Sequence, residues 1–314
     1  MQTHSFVISH RHHEQPLDLA LVALLPDFSR RKVRRILDHA GIRINDKVVH
    51  IASWKVQNGD RITVSFEEDT LSLRTFAYDP AWILYHRDGY LVVNKPPHLP
   101  SQQTKNPKGT HVIKFLKAQD PKLAPTPWVL CHRLDQETSG ALILAASNPK
   151  ATWITDQFKA RTVKKKYWAL CYGIPAKKDW EVKGHLSVIS AHTGRVSVVK
   201  SGGRSAHTRF RCVASNEALG LSLIECEPLT GRSHQIRIHL QECRLGLVGD
   251  KKYGMAFRKK LPFAWGKLTQ DHHLLHAGWV SFCPKQGGLH IDIRAPFPPN
   301  FSLCCEMAGF SLPS

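Results

Sequence analysis

Two apolar segments, 128–130 and 141–145, enclose the polar stretch Cys131-His132-Arg133-Leu134-Asp135-Gln136-Glu137-Thr138-Ser139-Gly140. Polar groups of this kind must be exposed, or paired if they are buried, because an unpaired buried polar group is costly. We therefore predict a loop that lies across the top of a sheet. A carboxylate on such a loop, two residues from an arginine, is well placed for chemistry. The alternative is a local ion pair between Arg133 and Asp135, which would contribute little at a surface.

The chain carries a large excess of positive charge. Its 314 residues include 44 Lys and Arg against 25 Asp and Glu, a formal net charge of +19. An anionic partner usually accompanies such self-repulsion, and nucleic acid is the commonest one, with an anionic membrane as the rival. The sequence has no apolar run of the ~20 residues that span a bilayer, and the run 19–25 lacks the layout of a signal peptide. We expect a cytoplasmic protein that binds nucleic acid and no membrane.

Cysteine and histidine could in principle bind a metal, but their spacing does not favour it. The eight cysteines include no Cys-x-x-Cys pair, so we interpret them as reduced thiols, and Cys131 as a structural residue. Neither the histidines at 10, 12 and 13 nor those at 272 and 273 have the spacing of a zinc site. No metal site is expected.

A basic amphipathic helix is predicted near the N-terminus. Ser29 can cap it and Gly41 can end it. Val33, Ile36 and Leu37 fall on one face at helical spacing. The other positions carry Arg30, Arg31, Lys32, Arg34 and Arg35. Like charges this close repel each other unless phosphate is near, so we predict that the helix binds RNA; the alternative is a solvated decoration. Short strands at 42–44, 48–49 and 61–64 complete a small α/β module over residues 1–75.

Strand-like runs outnumber helices after a polar linker at 66–80. The predicted strands are 83–85, 91–93, 141–145, 167–171, 196–199, 208–213, 221–226, 235–240 and 289–293, and the predicted helices are 111–119 and 151–160. In the strand at 235–240, Gln235, Arg237 and His239 would share one face. A buried face of this composition is costly unless it lines a site. We predict an α+β fold, with a mixed, largely antiparallel sheet over residues 76–314.

Four segments resemble, in the same order, those of the RluA-type RNA pseudouridine synthases. They are Asn94-Lys95-Pro96-Pro97, residues 132–140, Lys166-Tyr167-Trp168-Ala169-Leu170 and residues 229–240; residues 249–254 and 275–277 also match. The family usually has glycine where this chain has His98, so a different backbone turn is expected there. The N-terminal module resembles the alpha-L fold of ribosomal proteins, which many members of the family carry.

The resemblance implies that the protein converts uridine to pseudouridine in RNA. This reaction breaks a C–N glycosidic bond, turns the base over and joins C5 of uracil to the ribose, so neither a cofactor nor a metal is expected. The resemblance implies that Asp135 is the catalytic carboxylate and that Arg237 is its basic partner, which would offset the effect of burial on the carboxylate pKa. It implies that Tyr167 is the active-site tyrosine, and a ring there can stack on the base. The predicted RNA contacts in this region are Arg133, Lys95, Lys166 and Arg232.

Parts of the sequence are also compatible with two other functions. Asp135 and Glu137 could be the paired carboxylates of a glycosidase, but a charge of +19 does not suit a sugar cleft. The protein could also be a catalytically inactive RNA-binding or ribosome-assembly factor. We expect a monomer that acts on structured RNA, with large-subunit ribosomal RNA as the first candidate and transfer RNA as the second.

Overall fold

The computed structural model describes residues 2–38, 42–66, 76–104, 109–190, 193–254 and 272–313. The chain divides into two compact units, Met1–Ala77 and Tyr78–Ser314. The side chains of Arg31, Lys32 and Arg35, the predicted helix end at Gly41 and most of the predicted linker lie outside the described part of the structure.

In its described residues, the first unit contains two α-helices and a four-stranded antiparallel sheet. The helices are α1 (Leu17–Leu24) and α2 (Arg30–Asp38), and the strands are β1 (Gln2–Val7), β2 (Ile42–Ile44), β3 (Lys47–Val48) and β4 (Arg61–Phe66). The strand order is β1-β4-β2-β3. Val33, Ile36 and Leu37 of α2 are buried in the core with residues of α1 and the sheet, which confirms the predicted apolar face. Strand β1 was not predicted.

The second unit is built on one long sheet. Its strands are β5 (Ile83–Arg87), β6 (Tyr90–Lys95), β7 (Val129–Leu130), β8 (Ser139–Ala145), β9 (Lys164–Tyr172), β10 (Asp179–Leu186), β11 (Val198–Val199), β12 (Arg204–Asn216), β13 (Leu221–Pro228), β14 (Gly246–Leu247), β15 (Leu275–Phe282) and β16 (Ile291–Arg294). The main order is β11-β10-β12-β13-β9-β15-β8-β6-β5. Among the described strands, only β8 and β15 pair in parallel, so the predicted mixed, largely antiparallel sheet is confirmed.

Helices cover both faces of this sheet. They are α3 (Val112–Gln119), α4 (Asn148–Ala160), α5 (Gln235–Glu242) and α6 (Pro299–Met307). Alternate residues of β9 face α5 and α6: Ala169 packs with Ile236 and Leu240 of α5, whereas Leu170 packs with Phe301 of α6. The alternation of side chains along a strand therefore separates two cores. Helix α6 was not predicted.

The prediction of a strand at 235–240 is wrong, because these residues form the first part of α5. All six are buried, so the alternation of polar and apolar residues does not mark an exposed and a buried face. Nε2 of Gln235 donates to the carbonyl of His207 and to Oγ1 of Thr208, and Nδ1 of His239 lies 2.9 Å from the same Oγ1. Individual hydrogen bonds to β12 allow these polar side chains to be buried in a helix. The predicted strand 196–199 is also shorter than expected, since only 198–199 form β11.

Close contact between β8 and β15 fixes the C-terminal end of the polar stretch. Gly140 has a φ of 112°, and a Cβ atom there would lie 2.2 Å from the carbonyl oxygen of Ala277. Only glycine fits both this conformation and this distance. The stretch 131–138 is thereby held at the end of β8, as the predicted loop.

Candidate active site

The loop 131–138 is attached to the body of the second unit through its backbone. Oγ of the buried Ser101 donates to the carbonyl of Leu134 at 2.8 Å and accepts from the Leu134 amide at 3.1 Å. Nε2 of His132 accepts from the Ile143 amide at 3.0 Å, and burial lowers the pKa of His132 to about 3, so this imidazole is neutral. These bonds fix the backbone on the N-terminal side of Asp135.

Lys95 is also hydrogen-bonded to this loop. Its side chain is 1% exposed, and Nζ donates to the carbonyls of Pro96, Leu99 and Gln136 at 2.9, 3.0 and 3.1 Å. Burial lowers the pKa of Lys95 to about 7, despite the opposite effect of the nearby carboxylates Asp135 and Glu137. The prediction that Lys95 contacts the RNA backbone is therefore corrected: its three donors are used inside the protein.

Asp135 is joined to a buried arginine that is itself held by a second carboxylate. Nη1 of Arg237 donates to Oδ2 of Asp135 at 3.1 Å. Nε and Nη2 of Arg237 donate to Oδ2 and Oδ1 of Asp250 at 2.7 and 2.9 Å. The Asp250 oxygens also accept from the amides of Lys252 and Tyr253. Arg237 is 5% exposed and the side chain of Asp250 is fully buried, whereas that of Asp135 is 26% exposed.

This arrangement keeps all three groups charged. Burial alone would raise the pKa of Asp135, but Arg237 holds it below its ordinary value. The same competition lowers the pKa of Asp250 to about 2. Burial alone would lower the pKa of Arg237, but hydrogen bonds to Asp250 and Asp135 raise it. A carboxylate next to an arginine in a partly dry site is thus ionised at neutral pH.

Glu137 occupies a different environment from Asp135. Its Oε2 lies 3.1 Å from Nδ1 of the fully buried His273, and Nε2 of that ring lies 2.8 Å from Oγ1 of Thr138. Burial would raise the pKa of Glu137, yet His273 lowers it to about 2. Neither carboxylate of the loop therefore has the raised pKa that a glycosidase acid needs, which argues against the glycosidase interpretation.

The start of α5 is fixed by side chains of its own motif. Oε1 of Gln235 accepts from Oγ1 of Thr230 at 2.7 Å and from the Arg232 amide at 3.0 Å. His234 precedes the helix with a φ of 55°, in the left-handed region. Nδ1 of His234 lies 2.8 Å from Oη of Tyr253. The ring of Tyr253 in turn lies under the guanidinium of Arg237, 4.9 Å from its centroid.

A cleft of about 970 Å³ contains Asp135, Tyr167, His234 and Arg237 among its lining residues. Tyr167 is half-buried, and burial together with Asp135 raises its pKa, so the hydroxyl stays neutral. That hydroxyl has no hydrogen-bond partner among the residues that the structure describes. Six cationic side chains also line the cleft: Arg133, Lys159, Arg161, Lys164, Lys165 and Arg232. The volume of the cleft is large enough for an extruded nucleotide, and its side chains carry the charge that attracts phosphate.

Comparison with known proteins identifies the family. The chain is 31% identical over 296 residues to the ribosomal large subunit pseudouridine synthase D of Neisseria meningitidis serogroup A, a match that covers 90% of this chain and 76% of that protein. The chain belongs to the RNA pseudouridylate synthase family. The family model matches residues 89–242 of this synthase, and an S4 domain model matches residues 15–62. The predictions of the family and of an N-terminal RNA-binding module are confirmed.

Two further comparisons agree with this assignment. The synthase is 29% identical over 304 residues to the ribosomal large subunit pseudouridine synthase C of Rickettsia felis, which covers 91% of this chain and 94% of that protein. The solved structure of human RNA pseudouridylate synthase domain containing 4 matches with a TM-score of 0.60 and 25% identity, over 74% of this chain and 95% of that one. The predicted pseudouridine synthase, an isomerase, is therefore confirmed, and the alternative of an inactive factor is not favoured.

Of the other predicted RNA contacts of the synthase, two line the cleft and one does not. Arg133 is exposed and lines the cleft, which Arg232 lines as well, with Nε bound to the Ser205 carbonyl. Lys166 is not among the cleft residues; its Nζ pairs with Glu225 at 3.2 Å. On a strand, Lys166 and its neighbour Tyr167 point to opposite faces, so an RNA contact of Lys166 stays a prediction for a surface outside the cleft.

In the first unit, Arg30 and Arg34 share a buried carboxylate. Nε of Arg30 donates to Oδ2 of Asp18 at 2.7 Å, and Nη2 of Arg34 donates to the same oxygen at 3.0 Å. The side chain of Asp18 is 1% exposed, whereas those of the two arginines are 51% and 57% exposed. Mutual repulsion on α2 is thus relieved partly inside the protein. The half-exposed guanidinium groups remain accessible from outside the unit.

Sequence reasoning missed several residues that hold the site together. Asp250, Tyr253 and Ser101 were given no role, although 249–254 belong to a matching segment. A second carboxylate partner for Arg237 could have been sought there, because one partly exposed aspartate does not bind all the donors of a buried guanidinium. His98 has a φ of 71°, the left-handed conformation that glycine favours. A different turn from that of the family at this position stays a prediction.

Proposed function

We propose that this synthase isomerises specific uridines in structured RNA within the described cleft, with Asp135 as the catalytic carboxylate. One observation carries the proposal: Asp135 is ionised and partly exposed in a basic cleft, and Arg237 is bonded to it at 3.1 Å. An ionised carboxylate is the group that can attack the ribose, add to the uracil ring or remove a ribose proton. Arg237 stabilises that charge before substrate binds, so little reorganisation is needed during the reaction.

Tyr167 and Arg133 complete the proposed chemistry. Tyr167 lines the cleft together with Asp135, and its ring can stack on the uracil while the base turns over, which contributes about 1–3 kcal/mol per base. Arg133 is exposed two residues from Asp135, where a guanidinium can bind phosphate or occupy the space of an extruded base. The other cleft cations, Arg232 among them, would neutralise phosphates of the same strand.

Large-subunit ribosomal RNA is the first candidate substrate, with transfer RNA as the second. The names of the relatives from Neisseria and Rickettsia support this choice, as does the S4 domain match over residues 15–62. Arg30 and Arg34 are half-exposed in that region, and we propose that they contact phosphate there. The same role is proposed for Arg31, Lys32 and Arg35.

The proposal extends to a monomer that acts in the cytoplasm and needs neither membrane nor cofactor. All eight cysteines are free thiols, which suits a reducing compartment. No helix among the described residues could cross a membrane. No group of three or more potential metal ligands occurs among them.

Site-resolved pseudouridine mapping tests the proposal. Total RNA is compared from cells that lack the protein, cells that express it, and cells that express Asp135→Asn at the same level. We expect one or a few uridines, in large-subunit ribosomal RNA, to be modified only with the wild-type protein. Modification that persists without the protein, or with Asp135→Asn, would contradict the assignment. A modified site confined to transfer RNA would move the second candidate to first place.

A further inference from the structure

A short chain of hydrogen bonds reaches the cleft from the segment that connects β10 and β11. The Val196 amide donates to Oη of Tyr253 at 2.8 Å. The same oxygen lies 2.8 Å from Nδ1 of His234. His234 lines the cleft, and its Nε2 has no hydrogen-bond partner among the described residues.

These two hydrogen bonds favour one tautomer of His234. Because Val196 donates to Oη, the phenol of Tyr253 keeps one proton to give away, and Nδ1 of His234 is the acceptor for it among the described residues. In that arrangement Nδ1 is unprotonated. The ring proton of the neutral imidazole is then on Nε2, the nitrogen that is left to face a ligand.

The ring is held neutral and in one place. Burial lowers the pKa of His234 to about 4, and the charges of Asp135 and Arg237 are close enough to affect that pKa in opposite directions. The backbone at His234 is left-handed, with a φ of 55°, which is uncommon for residues other than glycine although histidine adopts it more often than most. Such a residue at a cleft is a reason to look for a function.

We propose that His234 binds the target base by donating a hydrogen bond from Nε2 to a carbonyl oxygen of uracil. The inference rests on the proposed function and adds a specificity-determining residue to it. Uracil presents carbonyl acceptors at C2 and C4, whereas cytosine presents an amino donor at C4. A fixed donor at C4 would therefore reject cytidine, because two donors would face each other.

The same hydrogen bond would also assist the reaction. Breaking the glycosidic bond, or adding a nucleophile to the ring, places negative charge on a carbonyl oxygen of the base. A donor that is already oriented towards that oxygen stabilises the charge as it develops. Tyr253 is a positioning residue in this scheme, since it acts on the base only through the imidazole.

Two proteins compared on three RNA substrates test the proposal. The protein is wild type or His234→Asn, and the RNA is a synthetic fragment around a mapped site with uridine, 2-thiouridine or 4-thiouridine at the target. Asparagine tolerates the left-handed backbone, and its short amide can still accept from the Tyr253 hydroxyl without reaching the position of Nε2. Sulfur accepts hydrogen bonds more weakly than oxygen, so each thio substitution weakens one possible contact.

We expect one of the two thio substitutions to slow the wild-type single-turnover rate by about three- to tenfold. The same substitution should have little effect on His234→Asn, which has already lost the contact. Equal losses in both proteins, for both thio substrates, would overturn the proposal. They would indicate that His234 does not touch the base or that it contacts a ribose or phosphate oxygen. A wild-type protein that forms no pseudouridine at all would instead contradict the proposed function.

A spectroscopic measurement keeps the test independent of activity and of the folding of the variant. Nitrogen-15 NMR of histidine-labelled wild-type protein reports which ring nitrogen carries the proton. We expect His234 to be in the Nε2–H form at pH 7 and to become a mixture of tautomers in Tyr253→Phe, which keeps the ring beneath Arg237. An Nδ1–H form, or a mixture in the wild-type protein, would overturn the proposal.

Discussion

Arg237 bonds to Asp135 through a single donor, Nη1 at 3.1 Å, while it uses two donors on Asp250 at 2.7 and 2.9 Å. The stronger, bidentate contact is the buried one, and the single contact reaches the carboxylate in the cleft. Arg237 is therefore held mainly by Asp250. Asp250 holds the guanidinium of Arg237 in position, and Asp135 provides the negative charge in the cleft.

We expect Asp135→Asn to lower the single-turnover rate by more than 100-fold while RNA affinity changes little, because the change is isosteric and removes only the ionised carboxylate. Rates and filter-binding affinities measured on the same RNA check this. Glu137→Gln is the matched control in the same loop, and its rate should fall less than tenfold. Similar losses in the two variants would show that the effect comes from the loop rather than from Asp135.

The two Tyr167 variants should differ if stacking is the main role of that residue. Tyr167→Phe keeps the ring and loses a hydroxyl that has no partner among the described residues, so we expect a loss of less than fivefold. Tyr167→Ala removes the ring, and a stacking contribution of about 1–3 kcal/mol corresponds to roughly five- to 150-fold. Single-turnover rates decide between these outcomes. Equal losses in both variants would assign the role to the hydroxyl.

Asp250→Asn should destabilise the protein in a pH-dependent way. The pKa of Asp250 is lowered from 3.8 to about 2, so its charged contacts stabilise the folded state above pH 4 and are lost as the pH falls towards 2. The difference in the free energy of unfolding between wild type and variant should be about 2 kcal/mol at pH 7 and roughly half of that at pH 3. Urea denaturation at both pH values measures it. Asp292→Asn, an exposed control, should change stability by less than about 0.5 kcal/mol; a difference for Asp250→Asn that does not vary with pH would contradict the assigned charge.

Single neutralisation of Arg30 or Arg34 should weaken RNA binding in a salt-dependent way. Each single variant leaves the other arginine on Asp18, so the buried carboxylate keeps a partner. If each arginine neutralises one phosphate, the slope of log affinity against log salt should flatten by about 0.7–0.9 per variant. Titrations between low and moderate salt measure the slope. Lys114→Gln, an exposed lysine that is not among the cleft residues, is the control; a slope unchanged in Arg30→Gln and Arg34→Gln would leave the two arginines a structural role only.

Exhaustive dialysis against a chelator should leave the activity unchanged, since the proposed reaction needs an ionised carboxylate and no Lewis acid. The rate is measured before and after dialysis, without any added nucleotide or redox cofactor. The dialysed protein is also assayed with added zinc and with added magnesium, because magnesium can act through the folding of the RNA. Activity that returns only with zinc would restore the histidine-based metal hypothesis.

The sequence alone was sufficient to predict the family, the loop and three of the residues that meet in the cleft. Asp135, Tyr167 and Arg237 lie in segments whose order and spacing are specific, and the charge of +19 pointed to an anionic partner. The strand that carries Tyr167 and the strand that follows the loop of Asp135 were predicted because apolar runs of strand length are local properties, whereas the segment of Arg237 was wrongly predicted as a strand. The apolar face of α2 was found for the same reason, at helical spacing.

Tertiary structure decided what local patterns cannot encode. Residues 235–240 alternate like a strand yet form a helix, in which contacts with β12 satisfy the Gln235 amide and Nδ1 of His239. In the sequence Lys95 resembles a phosphate ligand. In the structure its Nζ donates to three carbonyl groups, those of Pro96 and Leu99 nearby in sequence and that of Gln136 in the loop. Asp135 and Arg237 are 102 residues apart in sequence, and only the fold brings them together. Asp250 and Tyr253 lie 13 and 19 residues after Arg237 and His234, beyond the reach of any helix or strand period. Compensation of buried charge acts through space, so the partners of a buried group are fixed by packing and not by its neighbours in the chain.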